Sequence, residues 1–204
     1  MLEIIDCEQG TPEWYLSRIK IPTASEFSTV MAKGRKGEPS KTRAKYLRQL
    51  AGEILTDEPM EEGYTNKYME RGKLLEPEIR NLYCMMASCD VRQVGFIKNG
   101  RKGASPDGLI GNDGMLEIKS EAPHLLIETI LANKIPPEHY AQLQGGLWVA
   151  EREWIDIAVG YKKMPLVIKR TGRDEEYIKT LSDEVDRFLE ELDGIVAKVR
   201  AYRG

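Results

Sequence analysis

The chain is short of cysteine, histidine and long apolar runs, and each shortage removes a class of function. Its three cysteines, Cys7, Cys84 and Cys89, are odd in number and scattered. They can build neither a disulfide framework nor a four-ligand iron–sulfur cluster, so reduced structural thiols are expected. The two histidines, His124 and His139, do not complete a zinc site with cysteines so placed. Structural imidazoles are expected instead, with His139, one helical turn before Gln142, a further candidate for substrate contact. Apolar runs such as Leu125-Leu126-Ile127 are far shorter than the roughly 20 residues a membrane helix needs. The stretch Met1-Leu2-Glu3-Ile4-Ile5-Asp6 lacks the basic and apolar regions of a signal peptide. A cytoplasmic protein with no membrane partner is the expectation.

An excess of positive charge is also missing: the net charge is −3, which at first argues against a polyanionic partner. The distribution says more than the sum. Lys33, Arg35, Lys36, Lys41, Arg43, Lys45 and Arg48 stand against the single acid Glu38, whereas Asp174 to Asp193 carries nine acids. A basic N-terminal patch and an acidic C-terminal helix suggest a protein that meets phosphates on one face only.

What is present is an ordinary folded composition over 204 residues, 41% hydrophobic and 31% charged, so one domain spanning 1–204 with a substantial core is expected. Thr11 is placed to cap a short helix begun by Pro12. Thr23 and Glu26 have capping-box spacing ahead of Phe27, Val30 and Met31. Gly34 to Pro39 is read as a loop. Ser40 then caps a helix whose Tyr46, Leu47, Leu50, Ile54 and Leu55 form one apolar stripe. A longer helix is expected from about Thr65 to Ala87, kinked after Glu76 by Pro77. Val91 to Lys98 reads as a strand, and Asp107–Ile110 with Met115–Ser120 as a hairpin. Helices follow over His124–Asn133 and Pro137–Ala150, strands over Trp154–Tyr161 and Leu166–Arg170, and an amphipathic helix over Asp174–Tyr202. The expected class is α/β (α+β), a central mixed β-sheet flanked by helices.

The hairpin carries the chemistry. Residues alternate faces along a strand, so Glu117 and Lys119 share one side while Leu116 and Ile118 share the other. Asp107 joins them from the neighbouring strand. Two carboxylates suit magnesium, which needs oxygen ligands at about 2.0–2.1 Å and keeps several waters. Such an ion polarises a phosphoryl oxygen and lowers the pKa of a bound water. Lys119 then orients that water, offsets developing charge, or acts as a base.

The pattern Pro106-Asp107 with Glu117-Ile118-Lys119 resembles the PD-(D/E)xK nuclease superfamily and its restriction-endonuclease-like core. More narrowly, the chain resembles the phage lambda exonuclease family of recombination nucleases. Five ordered motifs carry the likeness: Trp14-x3-Arg18-x4-Thr23-Ala24-Ser25, Arg71-Gly72-Lys73-x2-Glu76, Ser105-Pro106-Asp107-Gly108, Leu116-Glu117-Ile118-Lys119, and Ala141-Gln142-x-Gln144-x3-Trp148.

The resemblance implies that Asp107, Glu117 and the Ile118 backbone carbonyl hold metal and that Lys119 is the catalytic lysine. It implies further that Glu76 reaches a metal directly or through water, and that Gln142 contacts the nucleophilic water or the substrate. Arg18, Ser25 and Arg35 match residues that hold a terminal 5′-phosphate. That group carries more charge than an internal diester and suits guanidinium forks and free backbone N–H groups. Lys33, Lys36, Lys41 and Arg43 become backbone contacts with DNA.

The implied activity is 5′→3′ digestion of one strand of duplex DNA from a phosphorylated end. It yields 5′-mononucleotides and 3′ overhangs for recombination, in a bacterial host cell and with a phage or prophage origin. Magnesium is the implied cofactor, with manganese as a substitute and two ions per site. A homotrimeric ring and a single-strand annealing protein are the implied partners. A catalytic core over about 65–170 would sit between an N-terminal end-binding part, about 11–56, and a C-terminal helix, about 174–202. The alternatives are an endonuclease of the same superfamily, of restriction or junction-resolving type, and an inactive end-binding module.

Overall fold

A computed structural model describes residues 1–60 and 67–203. Its centre is a four-stranded sheet of order β4-β5-β6-β7, built from β4 (Gly108–Ile110), β5 (Gly114–Ser120), β6 (Trp154–Gly160) and β7 (Val167–Gly172). The β4–β5 hairpin forms as its alternation predicts, with Gly108 opposite Leu116. β6 runs parallel to β5, Glu117 facing Ile157, and β7 returns antiparallel. The sheet is therefore mixed. β5 and β6 are buried along most of their length, as expected for strands covered on both faces. The parallel step from β5 to β6 is made by α5 (Pro123–Ala132) and α6 (Tyr140–Ala150).

The strand period sorts the core into two layers. Leu116, Ile118 and Ala158 face Leu75, Ile79 and Tyr83 of α4 (Lys67–Ala87). Met115, Ile155, Ile157 and Val159 face the opposite way, toward α6 and the larger apolar cluster. That cluster includes Phe27 and Val30 of α2 (Phe27–Met31), Leu47 and Leu50 of α3 (Lys41–Thr56), and Phe188 of α7 (Glu175–Ala201). Phe27, Leu116 and Phe188 are fully buried, each worth roughly 1.5–3 kcal/mol relative to exposure. α7 buries Ile178, Leu181, Val185, Phe188, Leu192 and Val196 at helical spacing. Asp174 caps it by accepting from the Tyr177 N–H at 3.0 Å. Among the described residues no helix is long and apolar enough to cross a membrane.

Several local expectations hold. Thr11 accepts from Trp14 N–H at the start of α1 (Pro12–Arg18), and Ser40 accepts from Arg43 N–H at the start of α3. Others do not. The Thr23 side chain makes no cap; its hydroxyl lies 3.2 Å from that of Ser25, and Ala24–Glu26 is a 3₁₀ turn leading into α2. α4 continues through Pro77 as one element, while the expected start at Thr65 lies outside the described residues. The strand expected from Val91 is regular only over β2 (Phe96–Asn99), because Arg92 makes an isolated bridge to Leu109. β2 sits in a second sheet between β1 (Leu2–Ile5) and β3 (Lys102–Ala104), neither of which was expected.

The separation of basic and acidic faces is also corrected. α3 packs on α7, and the two charge runs meet rather than diverge. Arg43 is 4% exposed, donates Nε to Val30 C=O at 3.0 Å, and grips Glu191 through both Nη atoms at 2.7 and 2.9 Å. It is a structural link between the helices and has no free face for DNA. Lys33 Nζ lies 3.6 Å from Glu184 of the same acidic helix.

Candidate active site

The site forms where the β4–β5 hairpin opens. Pro106 has no N–H to extend β4 along its neighbour. Asp107 N–H donates to Leu116 C=O at 3.1 Å, and the Asp107 Oδ2 accepts from Ile118 N–H at 2.5 Å. A strand residue points its N–H and C=O toward the same neighbour. The Ile118 carbonyl therefore faces the Asp107 side, where Pro106 has no donor for it.

Glu117 is 6% exposed on the opposite pleat. Its Oε1 lies 2.8 Å from Lys119 Nζ and accepts from Gln142 Nε2 at 2.7 Å. The Gln142 Oε1 in turn accepts from Lys119 Nζ at 3.0 Å. Gln142 thus bridges acid and lysine with its two amide ends, fixed by its place on α6. Glu76 approaches from α4, close enough that its charge acts on Asp107.

The carboxylates dominate the electrostatics of this cluster. Burial and then the charges of Glu117 and Glu76 hold the Asp107 carboxyl well above the ordinary carboxylate range; the Ile118 N–H and Lys119 oppose this only in part. Burial alone would lower Lys119, yet the surrounding Glu117, Asp107 and Glu76 hold it above its usual value. The buried Glu117, the half-buried Asp107 and the Ile118 carbonyl form an all-oxygen set that suits a hard divalent ion. The residues present fit magnesium or manganese. His139 is pushed down to about 4 by burial and by the Lys119 charge, so its imidazole is neutral at neutral pH.

Beside these groups lies a cavity of about 150 Å³ lined by Arg18, Ser25, Ser105, Glu117 and Gln142 among others. Arg18, the last residue of α1, lies 4.0 Å over the Trp14 ring and donates Nη1 to Ser105 Oγ at 2.9 Å. Trp14 Nε1 is itself tied to Gly95 C=O and Ser105 Oγ, both at 3.0 Å. Ser25 arrives on the 3₁₀ turn because α6 lacks a side chain at Gly145, where a Cβ would stand 2.2 Å from Phe27 Cδ2.

A larger cavity of about 700 Å³ opens on the other side of Asp107, lined by Gln9, Trp14, Tyr15, Lys73, Glu76, Arg80 and Gln93 among others. The structure therefore brings Asp107, Glu117, Ile118, Lys119, Glu76, Gln142, Arg18 and Ser25 into one region. Arg35 is not among the residues lining either cavity; it is exposed on the turn after Lys33, as is Lys36, whose backbone N–H bonds Glu38. Lys41 is exposed at the first turn of α3. Ser105 and Trp14 were not singled out as site residues from sequence. Ser105 stands directly before Pro106-Asp107, and that adjacency was the available signal.

Comparison with known proteins bears on the family and the fold. Residues 13–153 match the YqaJ-like viral recombinase domain. The fold is similar to an alkaline exonuclease from Laribacter hongkongensis, with 32% identity, a TM-score of 0.84, and coverage of 93% of this chain and 96% of that one. The same enzyme in complex with dAMP matches equally well. A phage-related exonuclease from Haemophilus somnus 129PT shares the fold at 15% identity and TM-score 0.66, over 92% of this chain and 99% of that one. Among curated proteins, no relative matches the chain by sequence.

Proposed function

Because the chain belongs to the YqaJ-like viral recombinase family, we propose that it digests one strand of double-stranded DNA in the 5′→3′ direction from 5′-phosphorylated ends. Exonuclease activity itself follows from the family and from the close likeness to an alkaline exonuclease. The finer reading rests on one juxtaposition. The Asp107–Glu117–Lys119 cluster adjoins a small cavity lined by Arg18, Ser25 and Ser105. At about 150 Å³ that cavity has room for a phosphate group. A terminal phosphate seated there would make the reaction start at a strand end.

In this reading Arg18, Ser25 and Ser105 receive the terminal phosphate, and the guanidinium supplies charge-assisted hydrogen bonds. The terminal nucleotide then spans to Asp107 and Glu117, which places the next phosphodiester beside the cluster. Asp107, Glu117 and the Ile118 carbonyl would hold magnesium, with manganese as a substitute, and Glu76 would reach a second ion. When bound, such an ion offsets phosphoryl charge and lowers the pKa of a water. Lys119, clamped between Glu117 and Gln142, presents its ammonium to the charge that develops on the phosphoryl oxygens. Gln142 holds that lysine in place and orients the attacking water. The products are 5′-mononucleotides and a 3′ overhang. The relative's complex with dAMP supports a product of that kind.

A homotrimeric ring, a single-strand annealing partner for recombination and a cytoplasmic setting complete the reading. A mass near the monomer's 23.2 kDa in light scattering would exclude the ring. The activity is tested by comparing linear duplexes that differ only in 5′-phosphate or 5′-hydroxyl ends. The phosphorylated duplex should be degraded much faster, and equal rates would overturn the end-recognition assignment.

A further inference from the structure

Arg80 lies one helical turn beyond Glu76 on α4, and its Nη2 donates to Glu76 Oε1. The arginine is the buried partner: its side chain is 11% exposed against 33% for the carboxylate. An ordinary helix-surface pair leaves both members in water, so burial of the cation is the unusual feature. Gln93 reaches Arg80 from the loop before β2. With its amide oxygen turned inward it accepts from Nη1 at 3.0 Å and from Nη2 at 3.2 Å. Nε of Arg80 is buried and lacks a hydrogen-bond partner among the described residues.

Burying a guanidinium with one donor unmatched costs stability. What that burial secures is the orientation of a carboxylate. Glu76, Arg80, Gln93 and Asp107 all line the same cavity of about 700 Å³. The Nη1–Nη2 edge of the guanidinium is locked to Gln93, and Nη2 also holds Glu76, which lines the same cavity as Asp107. Glu76 would otherwise swing from the neighbouring Asp107 carboxyl toward solvent. A fixed arginine counters that repulsion with a charge that is never lost at accessible pH.

We propose that Arg80, anchored by Gln93, is a positioning residue that aims Glu76 at the divalent ion it would reach beside Asp107. This rests on the reading of Glu76 as a carboxylate that reaches a metal. The geometry separates the part played by the fork from that played by the charge. A lysine at 80 keeps the charge but cannot bond Glu76 and Gln93 together. Gln93→Leu keeps the arginine but removes its anchor.

The test measures Mn²⁺ binding to the full chain by electron paramagnetic resonance without DNA, for wild type, Glu76→Gln, Arg80→Lys and Gln93→Leu. Thermal melts select folded variants, and KM for a linear duplex is measured in parallel. Residues that orient metal ligands commonly govern affinity by about 10- to 100-fold. Glu76→Gln should weaken Mn²⁺ binding, and Arg80→Lys and Gln93→Leu should each move it the same way by about tenfold, with KM for DNA little changed. Normal Mn²⁺ binding in both folded Arg80→Lys and Gln93→Leu, beside weakened binding in Glu76→Gln, overturns the proposal and leaves the Glu76 reading standing. Wild-type binding in Glu76→Gln overturns that reading, and the positioning role with it.

Discussion

Replacing Arg18 with alanine should erase the preference for phosphorylated ends without erasing cleavage. In the folded protein the Arg18 guanidinium stacks 4.0 Å from Trp14 and donates to Ser105 at 2.9 Å, so it is held ready for an anion rather than recruited by one. A hydrogen bond to a charged group contributes about 1.5–3 kcal/mol. At roughly 1.4 kcal/mol per factor of ten, its loss corresponds to about 10- to 150-fold. The assay is kcat/KM on two linear duplexes of the same sequence, one with 5′-phosphate and one with 5′-hydroxyl ends. The hydroxyl duplex lacks the group that Arg18 would hold, so any general damage to the enzyme divides out of the ratio. The variant should lose its ratio by about 10- to 150-fold, while the rate on hydroxyl ends stays close to wild type. Arg18→Lys should lie between, because a point charge replaces a planar fork. An unchanged ratio, with both rates falling together, would refute the phosphate assignment and leave Arg18 as a link between α1 and Ser105.

Lys119→Ala should lower kcat by at least about 100-fold while fluorescence anisotropy shows duplex affinity little changed; a mild kcat effect would remove Lys119 from the chemistry. Gly145→Ala would place a Cβ 2.2 Å from Phe27 Cδ2. Overpacking of that kind costs about 1–3 kcal/mol, more than the gain of up to ~1 kcal/mol from alanine over glycine in a helix, so the urea midpoint should fall, and a raised midpoint would contradict the packing argument. His139 bears on acid stability. Its folded value of about 4 lies below the ordinary 6.5, so the unfolded chain takes up the proton first. Its contribution to stability is present above about 6.5 and is lost as pH falls toward about 4. His139→Gln should therefore flatten the stability profile across that window relative to wild type, and parallel profiles would contradict the assignment.

The parts of this fold governed by short-range rules were legible in the sequence. Thr11 and Ser40 cap helices because the acceptor and the N–H it serves lie within one turn. The β4–β5 hairpin was legible because two short apolar stretches flank the turn Gly111-Asn112-Asp113-Gly114, and with it came Asp107, Glu117 and Lys119. What stayed hidden depends on distant partners. β3 is Lys-Gly-Ala, with no strand signature of its own, and exists through its pairing with β2. Arg43 looks like its basic neighbours in sequence, but it is buried by Glu191 from the far end of the chain. Thr23 had the right spacing for a capping box, yet its hydroxyl faces Ser25 and the backbone there turns as a 3₁₀ helix. Glu76 was legible as a motif member, whereas the Arg80–Gln93 clamp behind it became visible only once α4 and the loop before β2 were side by side.

The central claim is that cleavage begins at a 5′ end. Its most direct measurement is magnesium-started digestion of a linear duplex labelled differently at the 5′ and 3′ termini of one strand, run beside a covalently closed circle. The 5′ label should leave first as a mononucleotide, the 3′ label should persist on a shortening strand, and the circle should stay intact. Early release of the 3′ label, or rapid nicking of the circle, would contradict it.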